Sequence, residues 1–224
     1  MKKAVVARAV ECLRTGGLVA YPTETVWGLA ADATSETAVT ALRRFKGRTA
    51  AQPVSLLVSG LPALEKLSCA VPEAARALAA AFWPGPLTLV LPCQRFFARG
   101  VARADGAVGV RCSSHAWVQT LVQALEQAGI GPVTSTSLNR SGESPATSWR
   151  ETQHLLCRES FRFEAELFCL GEEAMDAGSG LASSIVDLSG VAPRLLRLGA
   201  IPRGALEDVL GMLFREQPAS VLNG

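Results

Sequence analysis

The chain has 224 residues, 49% of them hydrophobic and 19% charged. That balance excludes intrinsic disorder, and the length suffices to bury a core without covalent or metal staples. The net charge of +2 is too small for tight non-specific nucleic-acid binding, but it is unevenly spread: residues 1–111 hold 14 Lys and Arg against 7 Asp and Glu, and residues 112–224 hold 8 against 13. The basic first half can attract a polyanionic small molecule such as a nucleotide.

In chain order, apolar residues at 5, 6, 9, 10 and 13 predict a helix over Ala4–Leu13, stopped by Gly16 and Gly17. Leu18–Tyr21 is a short strand ended by Pro22. Thr34 or Ser35 caps a helix running to about Phe45. Val54–Val58 reads as a buried strand and Pro72–Phe82 as an Ala-rich helix with Pro at its start. Leu87–Leu91 and Val108–Val110 are strands, His115–Ala128 a helix and Pro132–Thr136 a strand. Ser148 and Glu151 have the spacing of a capping box opening a helix to about Cys157. Ile185–Asp187 and Leu195–Leu198 are short strands, and Pro202–Leu213 is a closing helix. The elements do not alternate regularly, so the expected class is α/β of the α+β kind: a twisted mixed sheet with surrounding helices. No linker divides the chain. A single domain over residues 1–216 is expected, with a loose tail over 217–224.

Absent motifs narrow the chemistry. There is no phosphate loop of the GxxxxGK[ST] type, no GxGxxG after a strand, no HExxH and no GxSxG. With only His115 and His154, a multi-histidine metal site is excluded, and no resident metal is expected. The cysteines at 12, 69, 93, 112, 157 and 169 form no CxxC pair and read as buried thiols in a reducing compartment. Arg8, Glu11 and Arg14 interrupt any signal-like start. The longest uncharged window, 77–94, is split by Pro84-Gly85-Pro86. A cytoplasmic protein without a membrane segment is the expectation.

Three polar clusters remain. Arg43-Arg44-Phe45-Lys46-Gly47-Arg48 sits where the second helix should end. Basic residues there complement the helix dipole, yet Lys46 and Arg48 flank a glycine in an extended or turning segment that points both side chains to one side, and together they suit a triphosphate. Thr134 to Gly142 follows a strand with hydroxyls, an amide and backbone N–H groups, as an anion site or a plain polar turn does. Tyr21 to Gly28 places two threonines and a carboxylate just past another strand, which makes either a polar ligand floor or a turn.

Together these clusters, Trp83 to Thr88, Gly109-Val110-Arg111, Ser183 to Asp187 and Leu196 to Ile201 occur in an order that resembles the YrdC/Sua5 family of threonylcarbamoyl-AMP synthases. The resemblance covers about residues 5–203 and implies a twisted mixed sheet around a concave basic cavity. It implies condensation of L-threonine, bicarbonate and ATP, with release of pyrophosphate and with Mg²⁺ accompanying the nucleotide. The resulting adenylate would feed a threonylcarbamoyl transferase that modifies the tRNA adenosine beside the anticodon, with at most weak tRNA contact by this chain. By motif match, Lys46 and Arg48 are the catalytic phosphate contacts, and Gln52, Ser137, Asn139 and Arg197 complete the ATP site. Thr23, Arg111, Ser135 and Ser183 form the threonine pocket.

The chain departs from the family pattern at Cys112-Ser113, Leu138, Pro145 and Ser184, and the bulk of Leu138 is expected to reshape the adenosine side. The competing reading is an RNA- or tRNA-binding module that uses the same basic cavity without making an adenylate.

Overall fold

The computed structural model describes residues 2–47, 53–160, 165–171 and 178–214. Among these, one sheet runs in the order β7-β1-β2-β6-β3-β5-β4-β8-β9, with parallel and antiparallel neighbours mixed. The strands are β1 (Leu18–Tyr21), β2 (Gly28–Ala30), β3 (Ser55–Leu57), β4 (Leu87–Pro92), β5 (Ala107–Arg111), β6 (Thr134–Ser137), β7 (Leu167–Cys169), β8 (Ser184–Asp187) and β9 (Arg194–Arg197). The helices are α1 (Lys2–Arg14), α2 (Glu36–Lys46), α3 (Leu61–Lys66), α4 (Glu73–Phe82), α5 (Ala116–Gln127), α6 (Trp149–Ser160) and α7 (Arg203–Leu210). None of these helices is long and apolar enough to cross a membrane.

Side chains alternate across a sheet, and two cores follow from that alternation. One face packs α2, α4 and α7 on Leu29, Leu56, Leu89 and Val110. The other packs α1 and α5 on Val19, Tyr21, Leu57 and Val133. Burying each such Leu or Val contributes about 1.5–3 kcal/mol. The second face is only partly roofed, and the cavity described below occupies the uncovered part.

Local signals place the elements as expected in several cases. Ser35 caps α2 by accepting from the Ala38 N–H, and Gly47 ends that helix with φ at 66°. Lys46 is therefore the last helical residue and not part of an extended segment. Ser148 and Glu151 form the reciprocal capping box. The closing helix is shorter than the periodicity predicts: it stops at Leu210 because Gly211 takes a left-handed cap.

The cysteine expectation needs correction. Cys12 and Cys112 are buried thiols, but Cys157 is exposed, Cys169 is partly exposed, and Cys69 is bonded to Cys93. The last two face each other on an isolated antiparallel bridge. Ala70 N–H donates to Pro92 O and Gln94 N–H to Ser68 O on either side of them. They thus occupy the kind of antiparallel pair in which opposed Cα atoms come closest.

Leu138 also differs from expectation. It is fully buried among the core residues and does not line the cavity, so its bulk is taken up by packing.

Candidate active site

Strand register builds the cavity floor. Tyr21, Gly28 and Ser137 are successive cross-strand partners in a first row. Ser135 faces Ser55, and the β3–β5 register sets Ser55 beside Gly109, giving a second row. Leu57, Arg111, Thr88, Ile185 and Arg197 form a third. Because all sit at the same phase of the alternation, they project to one side. The space above them is an open cavity of about 220 Å³.

Two glycines make room. A Cβ on Gly28 would stand 2.4 Å from the Tyr21 ring, and one on Gly109 would stand 2.6 Å from Ser55 Oγ. Tyr21 is fully buried and donates to Ser135 Oγ at 3.0 Å. Burial pushes its pKa up to about 12, so it keeps its proton at neutral pH.

At one end of the cavity lies Arg111. Its Nη2 donates to Glu24 Oε1 at 2.8 Å and to Thr25 Oγ1 at 2.6 Å. Glu24 also accepts from the buried Ser113 hydroxyl. Burial alone would raise the Glu24 pKa, but the charge and hydrogen bond of Arg111 and the Ser113 bond outweigh it and hold the carboxyl below its ordinary range. Arg111 Nε is buried with no hydrogen-bond partner among the described residues. The Thr23 hydroxyl is committed to its own turn: it donates to Val26 O at 2.7 Å and accepts from Thr25 N–H at 3.0 Å.

Arg197 stands across the same row. Its Nε donates to Ser183 O and its Nη2 to Ser183 Oγ, which in turn is 2.9 Å from Thr88 Oγ1. It has no carboxylate partner among the described residues, and burial together with the positive charge of Arg111 lowers its pKa. Two guanidinium groups served by one carboxylate leave this end of the cavity suited to an anion.

The other end carries Lys46. The residue is 1% exposed, and its ammonium donates to Ser137 O at 2.7 Å, Asn139 Oδ1 at 2.5 Å and Ser137 Oγ at 3.4 Å. Asn139 is held in orientation by its Nδ2, which donates to Arg140 O and Glu143 O. The fold thus joins Lys46 to Ser137 and Asn139 directly. Ser137 lines the cavity, and Lys46 and Asn139 stand behind it. Arg48, Gln52 and the 217–224 tail lie outside the described residues.

Of the residues singled out in the sequence, Thr23, Arg111, Ser135, Ser137, Ser183 and Arg197 all line this one cavity. Sequence reasoning missed Ser55, Thr88, Glu24 as a partner of Arg111, and Ser113. A hydroxyl inside the apolar run Val54–Val58 was the available signal for Ser55; nothing local marks Ser113.

Glu24 supplies a pH test. Its folded-state pKa lies below its unfolded value, so its contribution to stability is present above the ordinary carboxylate range and fades as pH falls through and below it. Urea unfolding at pH 7 and pH 4 should show a shallower acid loss for Glu24→Gln than for wild type; equal losses would contradict the pairing.

The mixed sheet and its polar cavity, with two guanidinium groups and one carboxylate at one end, define the protein as α/β. The chain belongs to the Sua5/YciO/YrdC family, whose model, described as telomere recombination, matches residues 11–199. It is 37% identical over 207 residues to the threonylcarbamoyl-AMP synthase of Pyrococcus abyssi, covering 92% of this chain and 57% of that protein. It is 38% identical over 161 residues to the threonylcarbamoyl-AMP synthase of Stenotrophomonas maltophilia, covering 70% of this chain and 84% of that one. The crystal structure of P. abyssi Sua5 complexed with L-threonine superposes with a TM-score of 0.80 at 35% identity, over 93% of this chain and 58% of that chain. E. coli YciO shares the fold at a TM-score of 0.71 and 22% identity, covering 89% of this chain and 91% of that one.

Proposed function

We propose that this chain is an L-threonylcarbamoyladenylate synthase, a nucleotidyltransferase that condenses L-threonine, bicarbonate and ATP and releases pyrophosphate. The observation that carries the reading is a single cavity with a two-arginine anion site at one end and the Lys46–Ser137–Asn139 cluster at the other. The P. abyssi structure with L-threonine supports an amino acid as one occupant.

In this reading Arg111 and Arg197 stand at the amino-acid end, with Ser183 between Arg197 and Thr88. Arg197 is positioned to serve either the threonine carboxylate or a phosphate. Thr23 shapes the wall and holds Thr25 and Val26, since its hydroxyl is already used. Lys46, with Arg48 and Gln52 by motif, serves the triphosphate. It does so through Ser137, which lines the cavity in front of it and whose carbonyl and hydroxyl oxygens the ammonium holds.

The reaction requires no protein nucleophile. A carbamate oxygen attacks the α-phosphorus and pyrophosphate leaves, so fixed positive charge and positioning do the work. The described residues contain no cluster of three or more His, Cys, Asp or Glu, and Glu24 already serves Arg111 and Ser113. That donor set offers no magnesium cage; magnesium enters as the counterion of the ATP substrate. The adenylate then passes to a separate transferase acting on tRNA. Pyrophosphate release measured with threonine, with serine and with no amino acid tests the reading. Dependence on threonine is expected, and equal release without an amino acid would leave only a nucleotide hydrolase.

A further inference from the structure

We infer that Ser55, together with Ser135, binds the carboxyl group that bicarbonate contributes, in the middle of the cavity floor. The inference rests on the proposed synthase reading and assigns a substrate group that this reading leaves without a site.

The carbamoyl group is bonded to the threonine nitrogen on one side and becomes bonded to the α-phosphorus on the other. It must therefore lie between the amino-acid end and the phosphate end. Along β6, Ser135 precedes Ser137 of the phosphate cluster by two residues. Along β5, Gly109 precedes Arg111 by two residues. A two-residue step on a strand is about 6.5–7 Å. The Ser135–Ser55–Gly109 row thus runs between Ser137 and Arg111, and opposed Cβ atoms in it are about 5 Å apart.

Donor chemistry fits as well. A carboxylate accepts hydrogen bonds and gives none, so its site needs free donors. Ser55 Oγ is partly exposed, lines the cavity and has no hydrogen-bond partner among the described residues. Ser135 Oγ already accepts from Tyr21, which leaves its own proton free to point elsewhere. Tyr21 remains a donor at neutral pH, so the direction of that bond is set. Gly109 completes the arrangement, because any side chain there would press on the Ser55 hydroxyl.

The chemistry balances without another reagent. The neutral threonine amine attacks the bicarbonate carbon, and hydroxide leaves with the amine's proton as water, giving a carbamate. A carbamate oxygen then attacks the α-phosphorus. The bond from that phosphorus to the bridging oxygen breaks, and its electron pair leaves with pyrophosphate. Two hydroxyl donors fix which carbamate oxygen faces the phosphorus.

Pyrophosphate release measured against bicarbonate concentration in CO₂-depleted buffer is the test, on wild type, Ser55→Ala and Gly109→Ala. Ser55→Ala orphans no protein group, and ATP binding by calorimetry checks that each variant keeps its site. The KM for bicarbonate should rise about tenfold in both variants, the effect of one hydrogen bond to a charged group, while those for threonine and ATP stay near wild type. An unchanged bicarbonate KM, or equal rises for all three substrates, would overturn the assignment alone. A wild-type enzyme that needs no bicarbonate would overturn the synthase reading and this inference with it.

Discussion

Replacing Lys46 with methionine should reduce adenylate formation by about 100-fold or more while leaving the fold largely intact. Methionine keeps most of the buried stem, so packing is conserved and the charge is not. The charge is central because the residue is 1% exposed and its ammonium is held by Ser137 O, Ser137 Oγ and Asn139 Oδ1. As pyrophosphate departs it gains negative charge, and a cation behind Ser137 stabilises that state more than the ground state. Lys46→Ala should add a stability loss of about 2–4 kcal/mol, because it removes the stem as well as the bonds. Lys46→Arg should not rescue activity, since a residue this buried has no room for the longer fork. Single-turnover pyrophosphate release checks the first expectation and urea unfolding the second. A Lys46→Met enzyme turning over at the wild-type rate would reduce the lysine to a strut for the Ser137–Asn139 loop.

The second large effect is expected at Arg111. Arg111→Ala should raise the threonine KM about 100-fold, with ATP affinity by calorimetry little changed. Arg111→Lys should recover only part, because an ammonium cannot reproduce the planar fork that bonds Glu24 and Thr25 and keeps further N–H donors. The alanine variant also leaves Glu24 as a poorly solvated carboxylate without its cation, costing about 3 kcal/mol. The double variant Arg111→Ala with Glu24→Ala separates the two roles. It should regain stability but not threonine affinity. If the double variant recovered threonine binding, Arg111 would be only the structural partner of Glu24. If ATP affinity were lost instead, Arg111 would belong to the phosphate end.

Much of this arrangement was legible before any coordinates, for identifiable reasons. Helices announced by N-terminal caps were found at their starts: Ser35 opens α2, and Ser148 with Glu151 opens α6, which runs on to Ser160 past the expected end near Cys157. The elements missed are short. β2 and β7 have three residues each and α3 has six, too few for periodicity to register. β2 starts at Gly28, directly after the polar Tyr21–Val26 stretch that reads as a turn; its strand character comes from pairing with β1 and β6.

The site shows the same division. That Lys46 meets Ser137 and Asn139 across more than ninety residues is a tertiary fact, reachable in the sequence only through the ordered motifs of a family. The Glu24–Arg111 pair and the Ser113 hydroxyl behind it arise from a similar long-range closure. The Cys69–Cys93 bond likewise depends on an isolated bridge that no spacing rule reveals.

The most direct measurement of the central claim follows carbon. ATP, L-threonine and ¹³C-labelled bicarbonate are incubated with the protein, and the nucleotide products are resolved by mass spectrometry. The account predicts an adenylate heavier than the unlabelled compound by one carbon-13, formed in step with pyrophosphate and absent when threonine is left out. AMP or ADP accumulating with no labelled adenylate, at the same rate with or without threonine, would contradict it.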